Sequence, residues 1–357
     1  MPQERHPTLY FDDGDIVLSA TTSGTGIKQL FRVHRLYLSH VSDIFRDMFV
    51  IATSSVDTEK YDGIPLLPLP HDNAQDLESL LDIVYHPTRL LGRLTSHPKA
   101  DTPLLLSDLA RIARKYMVQD IAETIVKHIQ GDWPENLESW DIYRDRLKVA
   151  ASGEHYLWND AVGDIPEPVS AILLALEHDT VNTAALYKLL ITPLDAEWKE
   201  QQTVNADRTK WPPRFSSVWR RDLASPSARW GLLDRRTLTA VLRLREEFHV
   251  RVGRLVNLVH SHFADGLPSR NCRHSKPARC RETYAAFTRV LWQQVYTGWT
   301  GHTDVLDVFS VGKLMKDWND RIICPPCMAD AINPVRAYRY DIWDELGLLW
   351  KKYLRNL

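Results

Sequence analysis

Four cysteines are the residues most able to do chemistry together. Cys272 and Cys280 flank seven residues, Arg273-His274-Ser275-Lys276-Pro277-Ala278-Arg279. After 43 further residues comes Cys324-Pro325-Pro326-Cys327, a C-x2-C pair. Zinc takes four soft or borderline ligands in a tetrahedron, and thiolates close in sequence reduce the entropy lost in assembling one. The spacing predicts a structural zinc site made by Cys272, Cys280, Cys324 and Cys327. A variant substitutes His274 for Cys272 or Cys280, or recruits His260 or His262. A redox pair of Cys324 and Cys327 alone fits less well, because such motifs need a βαβ context that this sequence lacks. Small buried thiols with no shared function are the remaining alternative. A closed four-thiolate shell has no open coordination position, so the role it implies is structural.

Other chemistry is hard to find. The sequence has no Gly-rich phosphate loop of Walker or dinucleotide type, no G-x-S-x-G elbow and no H-E-x-x-H helix. The 14 histidines are scattered, and Asp12-Asp13 reads as part of a turn. No catalytic residue is assigned, and the expectation is a non-enzymatic protein.

Charge is unevenly placed. The formal net charge is only −2, which announces neither nucleic acid nor membrane. Residues 133–198 carry 4 Lys+Arg against 12 Asp+Glu, whereas residues 208–281 carry 17 against 5. Arg220-Arg221, Arg235-Arg236 and the 270–281 loop are local basic clusters, interleaved with Trp211, Phe215, Trp219 and Trp230. Such a stretch is the footprint of a phosphate-contacting surface, although no finger, homeodomain or basic-zipper spacing accompanies it. The alternative is a set of solvated helix faces, or pairing with the acidic 133–198 region.

The elements that must position these groups fall into two parts. The chain has 357 residues, 44% hydrophobic and 25% charged, for which two domains are the default. All 12 Trp lie at or after Trp133 and all four Cys at or after Cys272. The expected boundary is Asp132-Trp133-Pro134-Glu135, giving domains 1–132 and 133–357. In the first, Asp15-Ile16-Val17-Leu18 and Gln29-Leu30-Phe31-Arg32-Val33 read as hairpin strands around the turn Thr22–Gly26. A helix follows through Phe49, with Ser42 as a cap. Residues 53–63 read as a loop, and the prolines of Ile64–Leu69 demote that run to an edge or short strand. Asp72/Asn73 cap a helix that stops at His86-Pro87. Residues 88–103 read as a loop. Ser107 caps the next helix, and the last one ends at Gly131.

The second part reads as almost entirely helical. Helices are expected from Leu137, after Pro166-Glu167-Pro168, over Thr183–Leu190 and over Thr237–Phe263. Others are expected over Tyr284–Val295, Val305–Trp318 and Asp341–Tyr353. Trp140, Trp158, Trp198, Trp292, Trp318, Trp343 and Trp350 fall mostly on helical patterns. Core packing explains them better than an aromatic ligand surface does.

Several segments of the first part, in order, resemble a BTB/POZ domain over residues 10–130. They are Asp15–Leu18, Phe31–Leu38, Ser42–Phe49, Leu80–Tyr85 and Leu109–Val118. The whole layout is similar to fungal proteins with an N-terminal BTB/POZ domain and an uncharacterised C-terminal region. The resemblance implies an α/β BTB/POZ-like N-terminal domain; the periodicity adds a mainly α-helical C-terminal domain, which the zinc reading of the cysteine spacing would staple. It implies protein–protein interaction: self-association as a homodimer or docking of a protein partner, with Asp15 and His34 either shaping the groove or satisfying local backbone polar groups. Only 14 residues precede Asp15, too few for the exchanged strand and helix of swapped dimers. The hydrophobic-x-Glu motif that favours cullin binding has no clean match, since Asp57 stands two positions before Glu59.

The expected function is therefore that of an interaction adaptor. The alternatives are a nuclear chromatin- or nucleic-acid-associated regulator acting through residues 208–281, and a substrate adaptor of a cullin ubiquitin ligase. The polar start Met1–Pro7 shows no secretory signal, and no run approaches a membrane span. The expectation is an intracellular protein, in nucleus or cytoplasm, with reduced thiols and no membrane partner.

Overall fold

The computed structural model describes residues 2–54, 59–94, 100–152, 166–198, 227–266, 269–286, 304–308 and 323–355. Within these the chain divides into two compact units. One comprises Met1–Asp132 with Leu174–Thr180, the other Trp133–Leu173 with Val181–Leu357.

The first unit is built on a five-stranded sheet. Its strands are β1 (Gln3–Tyr10), β2 (Ile16–Thr21), β3 (Lys28–Val33), β4 (Lys60–Tyr61) and β5 (Ile64–Asn73), in the spatial order β1-β3-β2-β5-β4. β2 and β3 form the expected antiparallel hairpin. β2 lies at the centre, and Ile16, Val17, Leu18 and Ala20 are buried on both of its faces, as a covered strand requires.

Three features depart from the sequence reading. β1 is a strand paired in parallel with β3 of the same chain, although only His6 and Leu9 of it are buried. Residues 60–64 are not loop but a hairpin, because Asp62 (φ 55°) and Gly63 (φ 77°) turn the chain between Tyr61 and Ile64. Two successive residues at positive φ give the twist that a two-residue hairpin needs. β5 is neither short nor an edge: it runs ten residues and pairs with β2 and β4. The Leu66 amide donates to Glu59 O on the β4 side. Pro68, two residues on, turns its nitrogen to the same side, beyond the two residues of β4, where no ladder donor is required.

Six helices complete the unit, α1 (Arg35–Val41), α2 (Asp43–Ser54), α3 (Ala74–Tyr85), α4 (Thr88–Arg93), α5 (Thr102–Lys115) and α6 (Gln119–Gly131), with α2 and α3 packed on the sheet and α5 on α3. α4 lies in what reads as a loop. α5 begins at Thr102 with a proline in its first turn, so Ser107 is no cap; its hydroxyl donates to Leu104 O inside the helix. Ser42 does cap α2. Its Oγ accepts the Phe45 amide and donates to Tyr116 O, and the Phe45 ring stacks on Tyr116 at 4.2 Å.

The second unit is helical: α7 (Leu137–Ser152), the part of α8 (Pro168–Glu177) up to Leu173, α9 (Thr183–Leu190), a long helix Arg235–Gly266, a run over 277–286, a short helix Val305–Val308, and a closing helix Pro325–Arg355. The rest of the helices expected over Tyr284–Val295 and Val305–Trp318 lies outside the described residues. The closing helix starts 16 residues before the expected Asp341 and passes through Pro334. Trp140, Tyr187, Phe248 and Trp343 form one aromatic cluster with neighbouring centroids 5.2–5.9 Å apart. Trp133, Trp140, Trp230, Trp343 and Trp350 are buried, as packing residues should be, whereas Trp198 is half-buried and lies outside any helix. Trp158, Trp292 and Trp318 lie outside the described residues, as do Arg220-Arg221, Trp211, Phe215 and Trp219. The acidic 133–198 region meets the basic one where the Arg229 amide donates to Glu167 Oε1 at 2.9 Å, while the basic residues before 227 lie outside the described residues. Asp141 receives both Arg144 and the buried Arg339 of the closing helix, and Arg251 pairs with Glu247 and Glu345.

Candidate functional site

The closing helix explains half of the cysteine cluster. Cys324 stands just before it, and Pro325 and Pro326 occupy its first two positions, where a missing amide hydrogen costs nothing. The first free amide of the helix is therefore that of Cys327, and it points at the Cys324 sulfur. The other half comes from the loop after the long helix. Cys280 sits in the 277–286 helical run and Cys272 at its approach, where the Cys272 amide is held by Ser269 O at 2.9 Å.

The four sulfurs lie within 4.8 Å of one another, and no disulfide joins them. Cys272 to Cys280 is 3.9 Å, Cys280 to Cys324 is 4.0 Å and Cys272 to Cys324 is 3.6 Å. A tetrahedron with metal–sulfur bonds of about 2.3 Å has sulfur–sulfur edges of about 3.8 Å. Cys280, Cys324 and Cys327 are buried, with Cys272 half-buried. The donor set and its spacing fit zinc.

Backbone amides complete the surroundings. Ser269 N donates to Cys327 Sγ at 3.3 Å, and the Arg273 amide faces Cys324. Burial opposes ionisation of Cys324, but the Cys327 and Arg273 amides and the neighbouring thiols outweigh it and bring the thiol down to about 6. Burial pushes Cys327 and Cys280 up. The cluster thus favours negative charge among its sulfurs, the charge a cation would neutralise. The two amides have no signature in the sequence. His274 stands outside the group: its Nδ1 accepts the Lys276 amide at 3.1 Å. The His260 and His262 side chains lie outside the described residues.

Asp15 and His34 meet at the start of α1. Asp15 accepts the Arg35 amide at 2.8 Å and Arg35 Nε at 2.9 Å. Burial works against its charge, yet the Arg35 contacts hold the carboxyl below its ordinary value. His34 donates its amide to the Tyr85 hydroxyl, which also lies 2.9 Å from the ring Nδ1; its Nε2 is 3.2 Å from Asp13. Both side chains therefore fix how α1 leaves the sheet. Just beyond them the helices turn large apolar groups outward: Leu36 and Tyr37 on α1, Val50 and Ile51 on α2, with Leu36 79% and Ile51 73% exposed. These four carry no functional expectation in the sequence reading. Their signal was apolar residues adjoining, rather than continuing, the buried stripe of Leu38, Phe45 and Phe49.

Comparison with known proteins gives one match to a family. Residues 12–131 match the family model of the BTB/POZ domain. No curated protein and no solved structure matches the chain.

Proposed function

The chain is a BTB/POZ domain-containing protein, and we propose that it acts as a non-enzymatic adaptor. Its N-terminal domain docks a protein partner or a second copy of the chain, and its helical part is stapled by a structural zinc ion held by Cys272, Cys280, Cys324 and Cys327. The observation that carries the adaptor reading is the family match over 12–131, joined to the exposed Leu36, Tyr37, Val50 and Ile51. Apolar groups of that size, left in water on two neighbouring helices, supply the driving force for association when covered. A stable partner should bury about 1,200–2,000 Å² in total. In this reading Asp15 and His34 are positioning residues: they hold α1 so that Leu36 and Tyr37 face outward.

Light scattering on the purified chain, with and without Leu36→Asp and Ile51→Asp, tests self-association. Dimer in the parent and monomer in the variant support it. A monomeric parent leaves partner docking as the reading, and there the same variant must lose partners in a pull-down; unchanged partners sink it. Capture by a cullin N-terminal region would make the protein a ligase adaptor specifically. Elemental analysis tests the staple: stoichiometric zinc, lost in Cys327→Ser, supports it, and metal-free protein with unchanged melting overturns it. Among the described residues no helix is long and apolar enough to cross a membrane. The proposed setting is intracellular, in nucleus or cytoplasm, where thiols stay reduced.

A further inference from the structure

The loop that carries Cys272 and Cys280 is also the most one-sided charge feature among the described residues. Between Ser269 and Cys280 stand Arg270, Arg273, Lys276 and Arg279, and no Asp or Glu. All four are exposed, and none is ion-paired with a described residue. They recur every third position, while the residues between them anchor the loop. Cys272 and Cys280 tie it to the sulfur cluster. The Asn271 amide donates to Ser269 Oγ, the Lys276 amide to His274 Nδ1, and the Arg279 amide to Lys276 O. Four cations are thus presented on a backbone already fixed, so little backbone ordering entropy remains to be lost when they are engaged.

We infer that this cysteine-anchored loop binds the phosphate backbone of double-stranded nucleic acid, without reading its sequence. The composition of the loop selects among anionic partners. Three of the four cations are arginine, whose planar guanidinium matches phosphate oxygens in a two-pronged contact. Ser275 and Asn271 add uncharged donors of the kind that line phosphate contacts. The loop has no large apolar or aromatic side chain apart from His274. An acidic protein partner would need apolar anchors to bind specifically. Stable anchoring at a membrane would need, besides cations, groups to bury below the headgroups. Single-stranded nucleic acid would need flat rings to stack its bases. Duplex backbone needs none of these.

This inference rests on the sulfur cluster as the anchor of the loop, so zinc content is measured on every sample. Full-length protein is titrated with a labelled mixed-sequence DNA duplex over a range of KCl concentrations. Four phosphate contacts predict a slope of about −3.6 for log Kobs against log salt. A variant with Arg270, Arg273, Lys276 and Arg279 all changed to Gln should keep its zinc and its melting temperature and lose most of that slope. Each single change, such as Arg273→Gln, should reduce the slope by about 0.9, which keeps the test open if the quadruple variant fails to fold. Changing the three arginines to lysine should retain binding. Zinc-loaded protein that does not bind the duplex overturns this inference and leaves the zinc reading intact. So does a slope unmoved by the substitutions, or tighter binding to polyglutamate or to phosphatidylserine vesicles than to the duplex.

Discussion

The Tyr187 hydroxyl donates to Asp304 Oδ1 across 2.7 Å and accepts the Leu306 amide at 3.1 Å. The same Asp304 oxygen takes the Asp307 amide at 2.9 Å. One phenol on α9 therefore fixes a chain segment 117 positions away, from inside the aromatic cluster of Trp140, Phe248 and Trp343. Asp307 in turn holds the buried Arg144 of α7, and Asp141 of α7 holds Arg339 of the closing helix. The helical unit is thus joined at its centre by a polar network, where geometry matters more than in an apolar core.

Tyr187→Phe keeps the ring and removes the hydroxyl. It leaves a half-buried carboxylate oxygen and the buried Leu306 amide each one partner short. The expected loss is about 1–3 kcal/mol, read by urea denaturation with the m-value unchanged. A variant as stable as the parent would mean that the network is solvated.

Ser42 joins two functions in one hydroxyl, capping α2 through the Phe45 amide and holding Tyr116 O. Ser42→Ala should cost about 1–2 kcal/mol, and Ser42→Thr, which retains the hydroxyl, should cost less. Thermal melting of the three proteins in parallel checks the order.

How much of this was legible beforehand depends on whether a segment's signal was local. The β2–β3 hairpin, α3 with its Asn73 cap, α9 and the long helix carry periodicity and boundary residues in their own sequence, and they stand close to where these placed them. β1 carries no such signal. Its residues are mostly polar and its place is decided by backbone pairing with β3. The closing helix starts well before the expected Asp341 and runs through Pro334, a residue that ordinarily ends a helix; Ala331, Ile332 and Val335 around it are buried, and packing sustains the helix there. At the cysteine cluster the residue types and spacing named the four sulfurs. The amides of Ser269 and Arg273 that face them depend on how the loop turns, which no residue type encodes.

If zinc holds the cluster, its removal must be felt at the start of the closing helix. A chelator such as EDTA should lower the melting temperature and restore it on adding zinc. Thiols must lose their protons to bind, so acid should also release the metal. Zinc content followed against pH checks this, and Cys327→Ser should behave like the chelated parent with no further response to EDTA.

Asp132 sets a pH dependence of opposite sign to the usual carboxylate. Burial raises its carboxyl from 3.8 to about 6, opposed only in part by His128. The folded chain therefore keeps this proton at pH values where the unfolded chain has released it. Stability conferred by the group falls as pH rises between 3.8 and about 6, and the penalty stays constant above that. A two-unit shift corresponds to at most about 2.7 kcal/mol, and because the group is only half-buried, solvent screening reduces this to about 1 kcal/mol. Asp132→Asn removes the ionisable group. Relative to the parent it should gain about 1 kcal/mol at neutral pH and nothing at pH below 3.8. Denaturation curves for both proteins across that range measure the difference directly. A gap that does not widen with rising pH would place the Asp132 carboxyl in ordinary solvent.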